Sequence, residues 1–197
     1  EGLPLALIDD GGAPGGIPWL GSPVPVAMGI RGLHGVRLLV QDAALLIEVL
    51  SQVMGFERLG SHPVDGRNGS SVDILITGEG GPGTEVQVES DPRLPVGQVG
   101  IGSVHHVAFR TPNADEQLQW RERLFKAGLK VTDVIDRFYF KSIYFRVPGG
   151  ILFEIATDGP GFAMDEDEEH LGEQLSLPPF LEPQRAHIES LLKPLEV

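Results

Sequence analysis

The sequence predicts an α+β protein: two βαβββ modules forming a cupped mixed sheet with helices outside, followed by a C-terminal helical tail. Three observations predict it. A strand followed by a capped helix occurs twice at a constant offset, with Val36 answering to Val107, Leu38 to Phe109 and Asp42 to Asn113. Behind each helix come short alternating apolar runs bounded by Gly and Pro. The closing strand Gly150 to Glu154 matches Gly83 to Gln87, and Gly2 to Ala6 as well, so the pattern is a repeat.

In chain order, residues 1–30 read as the last strand of an upstream module (residues 3–8) and a Gly/Pro-rich linker. Residues 31–90 form a βαβββ module without metal ligands. It opens with a strand at 33–38, Asp42 caps a helix whose stripe is Leu46, Val49, Leu50 and Val53, and strands follow at 72–77 and 84–89. Residues 91–102 are a linker. Residues 103–160 form the module with metal ligands. Its strand at 104–109 precedes a helix with Asn113 and Glu116 as a capping box, Leu118, Leu124 and Phe125 as the buried face, and Gly128 at its end. Strands at 129–135, 141–147 and 151–156 complete it. Residues 161–197 are an acidic tail and a helix starting at Glu182 and Pro183, with Ile188, Leu191 and Leu192 inward.

The 197 residues, 41% of them hydrophobic, suffice for a core. A charge of −13 argues against nucleic acid or an anionic membrane as partner. The absence of cysteine excludes disulfides, thiolate nucleophiles and Cys-ligated zinc or iron–sulfur sites, and agrees with a cytoplasmic location. No apolar run reaches the roughly 18 residues that span a bilayer. The chain starts without Met in what reads as mid-strand, so an upstream portion is expected.

Two strands carry chemistry. His106 and Glu154 are metal-type residues among apolar neighbours, and together they make two thirds of the 2-His-1-carboxylate face that leaves positions open on ferrous iron. His34 is excluded as the third ligand by register. It aligns with His105, while Gly35 aligns with His106, and a one-residue slip sends a strand side chain to the other face. The equivalents of Glu154 are Gln87 and Ala6, so only the second module is equipped for a metal. Alternation puts His106, Arg110, Tyr144, Arg146 and Glu154 on one face, either a plain solvent-facing surface or the wall of a ligand cup.

At these residues the chain resembles the vicinal oxygen chelate superfamily, which includes glyoxalases, fosfomycin-resistance proteins and extradiol dioxygenases. It is most similar to ring-cleaving dioxygenases of the hydroquinone type. The phrases that carry the likeness are Val104 to Arg110, Asp136 to Arg146 and Pro148 to Asp158, with Gly161-Phe162, Asp165-Glu166 and Leu171-Gly172 in the tail. The resemblance implies the C-terminal half of a four-module non-haem Fe(II) dioxygenase acting on an aromatic diol and O2. His106 and Glu154 would be iron ligands, the third protein ligand would lie in the N-terminal half outside this chain, and a homodimer is possible. Tyr144 matches a tyrosine that contacts the substrate's oxygen, His105 a histidine that supports the ligand, and Arg137 an active-site arginine. The alternatives are a glyoxalase-type isomerase or lyase using Mn, Zn or Ni, and a metal-free binding protein of the same superfamily. The 197-residue chain alone is expected to be inactive.

Overall fold

The computed structural model describes residues 3–64, 66, 69–95, 97, 100 and 103–193. Two four-stranded mixed sheets are built from successive stretches of chain. The first contains β1 (Gly35–Val40), β2 (Glu57–Pro63), β3 (Ser71–Ile76) and β4 (Glu85–Ser90) in the order β1-β4-β3-β2. The second contains β5 (Val107–Thr111), β6 (Ile135–Asp136), β7 (Lys141–Arg146) and β8 (Leu152–Thr157) in the order β5-β8-β7-β6. In each, the outer pair is parallel and the others antiparallel. The parallel pair needs a crossover of a dozen residues or more, and the helix with the two strands that follow it supplies it.

The repeat extends to the register. Val36 pairs with Val86 and Arg37 with Gln87, as Val107 pairs with Phe153 and Ala108 with Glu154. Both helices begin where the sequence places a cap. Asp42 Oδ1 accepts the Ala44 N–H at 2.9 Å ahead of α1 (Ala44–Glu48), which continues as a π-helical turn over Val49–Val53. Asn113 accepts the Glu116 N–H at 2.9 Å at the start of α2 (Ala114–Lys126). One core joins the modules, with Leu38, Leu46, Leu50 and Val88 in the same cluster as Leu124, Ile143, Phe145 and Phe153. Phe56 and Phe109 meet edge to face across it, ring centroids 5.9 Å apart.

Several elements differ from expectation. Residues 3–8 form no strand, pair with no sheet edge of the described chain, and leave Leu5 and Leu7 in solvent. Gly2, part of that repeat, lies outside the described residues. The first module's strand β2, entirely exposed, is an element that alternation did not reveal, since both its faces are wet. The strand expected at 129–135 reduces to a Val131–Phe145 bridge and the two residues of β6. The opening strands start later than predicted, so His106 stands just before β5. The buried stripe of α2 is Gln117, Trp120 and Leu124, and Leu118 and Phe125 face solvent. The last helix, α3 (Arg185–Leu191), buries nothing fully, and Leu191 and Leu192 are exposed.

Gln117 occupies the position of Leu46 in the repeat, and both are completely buried. Its amide nitrogen donates to the carbonyls of Lys141 (2.7 Å) and Ile155 (2.8 Å), tying α2 to β7 and β8 beneath the polar face of the sheet. Gln117→Ala should therefore cost about 2–4 kcal/mol, from two lost buried hydrogen bonds and a cavity. Urea unfolding checks this; a loss under about 0.5 kcal/mol, a typical surface value, would refute the tie.

Candidate metal centre

Strand pairing alone places the central carboxylate. Tyr144 lies directly opposite Glu154 across the β7–β8 ladder, Ser142 is two residues along the same face, and Ala108 flanks Glu154 on β5. His106, two residues before Ala108, projects to that face as well. The opposite face carries Phe145, Phe153 and Ile155 into the core.

The Glu154 side chain is 3% exposed, and each of its oxygens is satisfied. Oε1 accepts hydrogen bonds from the Tyr144 hydroxyl at 2.7 Å and from the fully buried Ser142 hydroxyl. Oε2 stands 2.7 Å from His106 Nε2. A carboxylate buried without such partners would cost several kcal/mol, so this network is the condition for Glu154 to occupy the sheet interior. His106 is one-third exposed, and its Nδ1 lies 2.9 Å from Nδ1 of His105, whose ring stands perpendicular to it. A contact through the second ring nitrogen fixes the orientation of the first. Arg137 donates to the Tyr144 hydroxyl from Nε (3.3 Å) and Nη2 (3.2 Å), its guanidinium lying over the Tyr144 ring.

The five residues singled out in the sequence thus form one continuous chain of contacts, Arg137–Tyr144–Glu154–His106–His105. Arg110 and Arg146, expected on the same face, take other partners: Arg110 pairs with Asp158 at 2.7 Å and Arg146 donates to the Gly150 carbonyl. Ser142 is the contributor that sequence reasoning did not single out. Its alternation with Tyr144 placed it on the polar face, but nothing signalled its complete burial.

The donor set fits part of a metal site. His106 Nε2 and Glu154 Oε2 are adjacent, convergent and supported from behind, so they can act as neighbouring ligands. Among the described residues no three His, Cys, Asp or Glu side chains are arranged so that together they could hold a metal ion. The corresponding place in the first module is closed. A Cβ added to Gly35 would stand 2.7 Å from the Glu85 carbonyl oxygen, and the Gln87, Ile74 and Val72 positions replace Glu154, Tyr144 and Ser142. His34 instead lies 3.7 Å from Glu85.

Paired βαβββ units, each a four-stranded mixed sheet with one helix, are the architecture of the glyoxalase-fold class. The chain belongs to the Glyoxalase/Bleomycin resistance protein/Dioxygenase superfamily, whose family model matches residues 32–155. It is 43% identical over its full length to a Bacillus subtilis (strain 168) protein named as ring-cleaving dioxygenase MhqA, and spans 62% of that relative. It is 32% identical to the chlorohydroquinone/hydroquinone 1,2-dioxygenase of Sphingobium indicum over 84% of this chain and 50% of that protein. A crystal structure of a dioxygenase from B. subtilis superimposes with a TM-score of 0.78 at 38% identity, covering 92% of this chain and 56% of the other. A glyoxylase/bleomycin resistance protein/dioxygenase domain from Frankia sp. EAN1pec, TM-score 0.55 at 17% identity, shares the fold. The chain therefore spans about half to two thirds of the length of these dioxygenase relatives.

The ion pair beside the site sets an acid response. The Arg110 hydrogen bond, reinforced by its charge, holds the Asp158 carboxyl below its ordinary value of 3.8. A carboxyl depressed in the folded state contributes stability above 3.8 that is lost as pH falls through the lower folded value. Asp158→Asn should consequently lose less of its thermal stability than the wild type between pH 5 and pH 3, as followed by melting temperature; parallel acid limbs would refute the coupling.

Proposed function

We propose that this chain supplies two iron ligands and the substrate-facing polar groups of a non-haem Fe(II) ring-cleaving dioxygenase acting on a hydroquinone- or catechol-like aromatic diol. The observation that carries the reading is the convergence of His106 Nε2 and Glu154 Oε2 at 2.7 Å, with Tyr144 and Arg137 beside them. The dioxygenase relatives support the reaction class. The third protein donor comes from outside the described residues, in keeping with the share of those relatives that the chain covers.

Ferrous iron, when bound, would supply adjacent open positions for diol and O2 and a path for electrons between them. The residues of this chain do the rest. Ser142 and Tyr144 hold Oε1 of Glu154, which leaves Oε2 facing outward as the liganding oxygen. His105 steadies the His106 ring through Nδ1, so that Nε2 keeps its direction. The Tyr144 hydroxyl lies between Glu154 and Arg137 and, while it donates to Glu154, can accept a hydrogen bond from a substrate hydroxyl. The Arg137 guanidinium, a permanent positive charge, then favours the deprotonated form of that oxygen and steadies negative charge as it develops.

The test joins this chain to the segment that bears the third donor, reconstitutes the assembly anaerobically with Fe(II), and measures O2 uptake with a panel of diols. Uptake with a hydroquinone or catechol is expected. His106→Ala and Glu154→Gln should each reduce it by at least about 100-fold, and His105→Ala by about 10–100-fold through weaker metal retention. Uptake unaffected by Glu154→Gln, or metal retained tightly without His106, would overturn the assignment.

A further inference from the structure

Arg137 sits on the loop between β6 and β7, and that loop does not hold itself. Phe138 has a φ of 71°, a left-handed conformation that a bulky side chain adopts only when its surroundings impose it. Three local hydrogen bonds shape the turn: Arg137 N–H to the Phe140 carbonyl and Tyr139 N–H to the Arg137 carbonyl, both 2.9 Å, and Phe138 N–H to Asp136 Oδ1, 2.7 Å. All are in or beside exposed chain, where water competes for them.

The tail provides the missing constraint. Gly161 N–H donates to the Tyr139 carbonyl at 2.8 Å, and Phe162 packs against the rings of Tyr139 (5.4 Å) and Phe140 (6.3 Å). The Tyr139 hydroxyl donates to Asp165 Oδ2 at 2.9 Å and also contacts the Ser176 hydroxyl, which donates to the same Asp165 oxygen at 2.6 Å. The Ser176 hydrogen bond, and after it that of Tyr139, keeps the Asp165 carboxyl below the usual range, so the carboxylate is the clamping form. Two further contacts keep this knot in place. Glu166 accepts the Gly172 and Gln174 amides, and Arg185 at the start of α3 donates to the Leu175 carbonyl at 2.9 Å.

We propose that the tail is a strap that sets the active-site arginine: Tyr139, clamped by Asp165 and Ser176, acts as a positioning residue that holds Arg137 against the Tyr144 hydroxyl. Its catalytic meaning rests on the roles assigned above to Arg137 and Tyr144, but its mechanical content does not. Releasing the Tyr139 hydroxyl frees the turn, and the Arg137 guanidinium, which is itself exposed and weakly held at 3.2–3.3 Å, leaves the tyrosine. This gives a use to Gly161, Phe162 and Asp165, which the metal chemistry leaves without one.

The experiment is solution NMR on the present chain with Tyr139→Phe and, as a second disruption from the other side of the knot, Ser176→Ala. Amide exchange at Arg137 and Gly161 should accelerate at least about tenfold in both variants while core amides keep their rates. The ring resonances of Tyr144 should shift in both. In an Arg137→Ala background, Tyr139→Phe should no longer move them, because the coupling runs through the guanidinium. Tyr144 signals unmoved by both variants, or moved equally with and without Arg137, would overturn the proposal. No turnover is read, so failure of the dioxygenase assignment would leave this result standing.

Discussion

A buried carboxylate decides the architecture of the second module. Glu154 is placed where water cannot solvate it, and only three specific neighbours, Ser142, Tyr144 and His106, make that position tolerable. Hydrogen bonds to a charged group contribute about 1.5–3 kcal/mol each, so the three together can offset a desolvation penalty of several kcal/mol. All three neighbours are delivered by register. A slip of one residue in the β7–β8 ladder would place Ile143 or Phe145 against the carboxylate and turn Tyr144 into the core. Site and fold are therefore specified by the same pairing.

The first module shows what the scaffold looks like without that requirement. Its strands pair in the same register, yet Gly35, Gln87, Ile74 and Val72 stand at the positions of His106, Glu154, Tyr144 and Ser142. The neutral amide of Gln87 needs less compensation than a carboxylate, and it is served by Arg37 at 2.8 Å and Glu85 at 2.6 Å. Two apolar side chains then suffice across the ladder where the second module needs two hydroxyls. Function in this fold lies in a few side chains on a shared frame, and here the two frames can be compared within one chain.

Those few side chains were legible in the sequence because they depend on parity, and parity survives small errors in element ends. The strand before α2 begins three residues later than alternation suggests, yet His106, Ala108 and Glu154 keep a common face. Properties that depend on three-dimensional neighbours were not legible. Leu118 and Phe125 look more apolar than Gln117, but the stripe facing the sheet is decided by helix rotation, and the Lys141 and Ile155 carbonyls give the glutamine its partners there. Residues 3–8 have a strand's composition, but a strand is defined by a partner. Ser142 could be assigned a face but not a depth, and its place beneath Tyr144 is a fact of packing. The Tyr139 knot joins residues far apart in sequence and leaves no periodic trace.

The orientation of the pair bears on how a two-donor site can be stable yet ready. His106 Nε2 and Glu154 Oε2 lie within hydrogen-bond distance of each other, so the carboxylate needs no water in the sheet interior. Both are held from behind, the histidine by His105 and the carboxylate by Ser142 and Tyr144, so both keep their direction. Ala108 and Arg110, on the same face, are exposed, so that side of the sheet is open in this chain. On the function proposed above, a third donor would meet the pair from that open face, beside Tyr144 and Arg137. The chain's own share of such a site is set by its strand register, which brings Glu154 opposite Tyr144 and beside Ala108.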